Sequence, residues 1–241
     1  MSLFDGTFTA NWGDIPPHPF AKVDFLPDGR LAVVQLRGRN NLYIYGPDDS
    51  LLLQADVGDG VEAMCCTAHG AIWISYFDEG IFGTNQLADG SWPPASTGLA
   101  CFNESGVCVW RADNAGLEID DCYAMTSNAS DVWICAYSDF NIVHISNEQA
   151  TVWTNDIVGA HAIAASGDYI LLAGGYASKG DQDKVWLLRL VGNRAELLNE
   201  ASLTGLGTSR AFGRDGVLHF ITNNQWHRVN VSEWAAQSAA D

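Results

Sequence analysis

Five carboxylates stand where side chains could do chemistry: Glu62, Asp78, Glu79, Asp121 and Asp139, each at the start or end of a short apolar run. Two carboxylates at a suitable separation serve as acid and base, or acid and nucleophile, in glycoside hydrolysis. Several together offer oxygen ligands to a divalent cation such as Ca2+, and with His161 they would suit a harder transition metal. Tyr76, Tyr137 and Tyr176 lie beside them in the segments YFDEG, YSDFN and GGYASK. An aromatic face packs on apolar ligand surface or attracts positive charge, and a carboxylate orients a donor. The combination therefore suits a sugar, an amine or another cation. The competing reading is structural: tyrosines capping a core and aspartates making local turn hydrogen bonds.

Other catalytic signatures are missing. There is no DxDxDG calcium loop, no HExxH, no GxSxG elbow and no phosphate loop, since GGYASKGDQD lacks the GK[ST] ending. No organic cofactor is implied, and Ca2+ is the cofactor the carboxylates would favour. His18, His69, His144, His219 and His227 have no ligand spacing. The six cysteines, at 65, 66, 101, 108, 122 and 135, include no CxxC pair. Most lie in apolar runs, where a thiol behaves as a small buried hydrophobe. Reduced, buried cysteines are expected, although Cys101 and Cys108 flank a turn and could face each other across it.

Charge narrows the partners. Twelve Lys and Arg against 29 Asp and Glu give a net charge of −17 and a pI near 4.4. That field repels phosphate backbones and anionic membranes, so neither nucleic acid nor membrane is an expected partner. A small molecule is the favoured partner, and a protein partner stays open. The N-terminal MSLFDGTFTANWGD has no basic and apolar secretory pattern, and no apolar run reaches membrane-spanning length, so a cytoplasmic setting is expected.

The elements that must position these residues are strands. Runs rich in Val, Ile, Trp, Tyr and Phe alternate with Gly, Asp and Asn turns, and helical periodicity is nearly absent. LAVVQL, IWISYF, VWICAY, YILLAG and VLHFIT begin at residues 31, 72, 132, 169 and 217 and look like versions of one strand. Each follows a short polar turn and another strand-like segment, and in the first four units one or two more strands follow. A repeat in the forties with four strands per unit is the signature of a β-propeller. The apolar second strands agree, because neighbouring blades cover both faces of each sheet. The reading is an all-β, five-bladed β-propeller with four-stranded antiparallel blades, in one domain over 1–241. The blades fall roughly at 20–58, 59–115, 116–157, 158–203 and 204–234. The last has only three strands, and the N-terminal strand 3–12 would complete it and close the ring.

The spacing and strand motifs resemble the broad WD-repeat, YVTN and SMP-30-like propeller superfamily. More narrowly, DGVEAMCCTAHGAIWISYFDEGIFG, IDDCYAM and GAHAIAASGDYILLAGGY look like an uncharacterised bacterial propeller family. That resemblance implies the fold and no particular activity. The WD dipeptide with its His partner is missing.

Propeller geometry turns position into proximity. In a meander blade the innermost strand begins at the end where the second strand finishes. Inner-strand entries near Lys22, Glu62, Asp121, His161 and Arg210 therefore share the channel mouth with loops carrying Tyr76, Asp78, Glu79, Tyr137, Asp139 and Tyr176. Three functions stay open on this fold: binding of a cationic or sugar-like small molecule, a metal-assisted hydrolase, lactonase or glycosidase using Glu62 and Asp121, and a protein-interaction platform. A Cys122–His161 nucleophile in adjacent blades is conceivable, but a buried thiol there is the simpler expectation.

Overall fold

The computed structural model describes residues 2–4, 9–11, 15–206, 210–222 and 225–239. Short strands β1 (Ser2–Phe4) and β2 (Thr9–Asn11) come first. Four antiparallel four-stranded meanders follow. The first contains β3 (Ala21–Phe25), β4 (Leu31–Gln35), β5 (Leu42–Tyr45) and β6 (Leu51–Ala55). The second contains β7 (Val61–Cys66), β8 (Ile72–Tyr76), β9 (Leu99–Phe102) and β10 (Cys108–Arg111). The third contains β11 (Asp121–Asn128), β12 (Asp131–Tyr137), β13 (Ile142–Ser146) and β14 (Gln149–Trp153). The fourth contains β15 (Ala162–Ser166), β16 (Tyr169–Ala173), β17 (Lys184–Val191) and β18 (Arg194–Ser202). A fifth sheet holds β19 (Arg210–Arg214), β20 (Val217–Thr222) and β21 (Gln225–Asn230). The fold is a five-bladed β-propeller, with the first strands of neighbouring blades packed against one another around the centre.

The apolar second strands have the predicted cause. Every residue of β8 is buried, as are four of the five in β4 and in β16. One apolar cluster joins blades one and two through Ile44, Ile74 and Phe102. Others join blades two and three through Trp73, Trp110 and Ile134, and three and four through Trp133, Ile163 and Trp186. A fourth joins blades four and five through Leu171, Leu187, Leu218 and Phe220. Burying an aliphatic or aromatic side chain contributes about 1.5–3 kcal/mol, so these four seams carry most of the ring's cohesion.

Closure differs from the sequence expectation. The described parts of the N-terminal segment pair with each other, Ser2 with Asn11 and Phe4 with Thr9, as a separate two-stranded sheet. Among the described residues the fifth sheet has three strands. Ser2–Phe4 and Thr9–Asn11 are near neighbours in the chain, and a local pairing requires far less loop closure than one spanning the chain.

A C-terminal helix, α2 (Val231–Ser238), was not expected from the sequence. Its signal is present: the Asn230 side chain accepts from the Glu233 N–H at 3.1 Å as an N-cap, and Val231 and Ala235, one turn apart, are buried against blade four. Among the described residues no helix is long and apolar enough to cross a membrane.

Candidate functional site

Two irregularities in the inner strands build one side of the channel mouth. The β7–β8 register shifts between Val61 and Ala63, so Glu62 sits at a bulge. The β11–β12 register shifts between Asp121 and Ala124, which places Cys122 and Tyr123 at a second one. Bulges bend a strand and re-aim its side chains. At this second bulge Asp121 lies opposite Tyr137, and the Tyr123 ring stacks on that of Tyr137 at 5.8 Å and 19°.

An aromatic cluster grows from this pair. Tyr176 meets Tyr123 edge-on at 6.4 Å, and Phe140 meets Tyr123, Tyr137 and Tyr176 at 5.9, 5.5 and 6.0 Å. Phe140 is buried and anchors the group, whereas Tyr137 and Tyr176 keep 40% and 55% of their surface in solvent. The faces are thus fixed from behind and open in front. Two glycines make room: a Cβ on Gly159 (φ +79°) would lie 2.0 Å from the Tyr176 ring, and one on Gly174 (φ +81°) 2.2 Å from His161 Nδ1. The loop carrying Tyr176 is held by its N–H to Val158 O at 3.1 Å and by the buried Asp181, whose carboxylate accepts the Ser178 N–H at 2.7 Å.

The electrostatics are one-sided. Burial, then the negative charges of Glu62 and Asp78, raise the Asp121 carboxyl to about 6, while the N–H groups of Asp78 and Cys122 act the other way. Tyr123 is pushed up to about 12 by burial, with the Tyr176 hydroxyl and Asp121 adding to it. Partial burial lowers the His161 imidazole. Among the described residues no three His, Cys, Asp or Glu side chains converge as a metal site, so these carboxylates form a field rather than a coordination cage.

The predicted residues separate into groups. Glu62, Asp78, Asp121, Tyr137 and Tyr176 come together, and His161 enters blade four with its ring against Gly174. Asp139 is exposed in the turn that follows Tyr137, and Lys22 and Arg210 begin the inner strands of blades one and five. Glu79 is drawn away into an ion pair with Arg37, whose guanidinium also lies 4.7 Å over Phe77. Tyr76 is a correction: it is fully buried, and its hydroxyl donates to the Val57 carbonyl. It caps the core between blades one and two and presents no face to a ligand. Tyr123 was missed because candidates were drawn from strand entries and loops, whereas it lies inside β11, two residues on from Asp121 and so on the same face by strand alternation. The cysteines are all unpaired by disulfides, and Cys101 lies opposite Trp110 rather than Cys108. Burial pushes Cys65, Cys101 and Cys135 up to about 12 and raises Cys122 as well, which removes the thiolate a Cys122–His161 nucleophile would need.

Residues 105–186 match the YxzG family. That stretch contains Asp121, Tyr123, Tyr137, Phe140, His161 and Tyr176, the aromatic side of the mouth. No curated protein matches the chain. Among solved structures, a chain from the crystal structure of a nidogen/laminin complex superposes with a TM-score of 0.56 at 9% identity, covering 93% of this chain and 81% of that one. At that identity the likeness is one of fold.

Proposed function

We propose that this propeller binds a small organic cation at the channel mouth, between the tyrosine faces of blades three and four and the carboxylates of Asp121, Glu62 and Asp78. The observation that carries this reading is the pairing of Asp121 with Tyr137 beneath the stacked Tyr123 ring. A carboxylate crowded by like charges gains most from a positive ligand, because the ligand removes repulsion as well as adding attraction. A cation over a tyrosine face contributes about 0.5–2 kcal/mol, rising with desolvation. Three such faces and one carboxylate, set against an association cost of at least about 4 kcal/mol, make the dissociation constant no tighter than about 0.1 mM. A neutral sugar would use the same faces but would not relieve the charge.

The test is calorimetric titration with tetramethylammonium and with a methyl hexoside. Saturable binding of the cation, weakened by salt and lost in Asp121→Asn, supports the reading. Binding of the hexoside alone, or of neither, overturns it. The second reading is hydrolytic: a carboxyl raised to about 6 is suited to general acid work, with Glu62 as its partner. Turnover of sugar lactones or aryl glycosides that vanishes in Glu62→Gln would favour that alternative.

A further inference from the structure

A groove opens next to the mouth, between blades two and three, with a cavity volume of about 520 Å³. One wall comes from α1 (Asp78–Phe82) and the segment after it, the other from the stretch leading into β11. Phe82 and Trp92 line it and are 67% and 48% exposed, while Leu117 and Ile119 supply its apolar floor. Large apolar side chains held exposed along a cleft mark a binding surface. Its charged lining includes Glu118 and Asp120, and the basic residue of the wall, Arg111, is ion-paired with Asp113 at 3.1 Å and donates to the Trp92 carbonyl at 2.8 Å. Arg111 therefore braces the Trp92 backbone and leaves the groove negative.

Groove and mouth share one piece of backbone. Asp120 lines the groove, where its carboxylate accepts from Ser138 Oγ at 3.2 Å, and its N–H donates to the Tyr137 carbonyl at 3.2 Å. Asp121, the next residue, faces Glu62 and Tyr137 at the mouth. Consecutive Cα atoms are about 3.8 Å apart, so an ammonium at Asp121 stands one residue from the start of the groove. Asp78, the first residue of α1, acts on Asp121, and Phe82, the last, lines the groove.

Resting on the cation-binding reading of the mouth, we infer that the ligand is an elongated amphipathic cation. Its ammonium lies among Asp121 and the tyrosines, and its apolar tail runs past Asp120 into the groove against Phe82, Trp92 and Ile119. Charge complementarity excludes an acidic tail, and the adjacency of Asp120 and Asp121, with α1 running from Asp78 to Phe82, favours a single molecule reaching both.

The experiment is a titration of the whole chain with tetramethylammonium, butyl-, hexyl- and octyltrimethylammonium, the last below its micelle concentration. Each methylene buried in the groove should tighten binding by up to about fourfold, so octyltrimethylammonium should bind at least about tenfold tighter than tetramethylammonium. Trp92→Ala and Phe82→Ala remove exposed side chains and leave the core intact. Both should flatten the chain-length dependence and leave tetramethylammonium affinity unchanged. A flat series in the unaltered protein overturns the inference while the mouth still binds tetramethylammonium. A slope that survives in both variants overturns it too, because the tail then lies elsewhere. Failure of every member of the series overturns the mouth reading with it.

Discussion

Asp24 of the first inner strand and Arg214 of the last are joined by a 2.5 Å ion pair, 190 residues apart in the chain. Asp24 Oδ2 also accepts the Cys66 N–H at 2.6 Å, so one carboxylate ties blades one, two and five together. The seam between blades five and one is unlike the other four. The small apolar cluster of Leu31, Val33 and Tyr45 is covered by Ile15, Ala21, Phe25 and Tyr43, with no described residue of blade five in it. Among the described residues, closure at this seam rests on polar contacts rather than on a shared core.

Asp24→Ala should therefore destabilise the protein by about 1–3 kcal/mol, because it leaves the Cys66 N–H without its acceptor and the half-buried Arg214 guanidinium with the longer 3.5 Å contact to Asp215. Asp24→Asn, which keeps an acceptor, should recover part of the loss. Urea unfolding checks this, and a lower midpoint with an unchanged slope is the expected form.

Asp121 should make stability fall as pH rises. Its folded pKa of about 6 lies above the ordinary 3.8, so between these values the folded state holds the proton that the unfolded state has released. The resulting penalty is absent below about pH 4 and complete above about pH 6. Discounted for solvent screening, it is on the order of 1–2 kcal/mol. Asp121→Asn should gain that amount at pH 7 and nothing at pH 4, read from unfolding curves at the two pH values. Cation binding should run the opposite way, weakening as pH falls through about 6, and the same variant should lose that dependence.

Tyr123 and Tyr76 should behave oppositely. Tyr123→Ala removes a face of the cluster and should weaken tetramethylammonium binding by roughly 3- to 30-fold, with a modest change in stability. Tyr76→Phe orphans the buried Val57 carbonyl, so it should destabilise the fold by about 1–2 kcal/mol and leave binding unchanged. Parallel titration and unfolding of the two variants separate the roles.

Gly159→Ala should damage the mouth from beneath. The added Cβ would meet the Tyr176 ring on a left-handed backbone, so a loss of at least about 1 kcal/mol is expected together with weaker cation binding. Melting temperature and titration report the two effects.

Thiol chemistry should be slow in the native state. Cys65, Cys66, Cys101, Cys122 and Cys135 are buried, whereas Cys108 is only partly so. Timed alkylation near neutral pH should label Cys108 first, and the other five should follow only on unfolding.

Much of this architecture follows from order along the chain. LAVVQL, IWISYF, VWICAY and YILLAG are almost continuously apolar because each becomes a strand covered on both faces, whereas VLHFIT leaves Ile221 exposed, and the shared pattern together with its spacing specifies a five-bladed ring. The same logic brings Glu62, Asp121 and His161 to the inner-strand entries and Tyr137 and Tyr176 to the loops beside them. Tertiary packing decided the rest. Tyr76 and Tyr137 close equivalent second strands, yet one finds the Val57 carbonyl beneath it and is buried, while the other stacks on Tyr123 and stays exposed. A bulge falls at Cys122 and Tyr123, and no alternation of residue types announces where a strand will slip by one position. Asp24 and Arg214 carry no local signal of each other, because their attraction exists only once four apolar seams have brought the ends of the ring together.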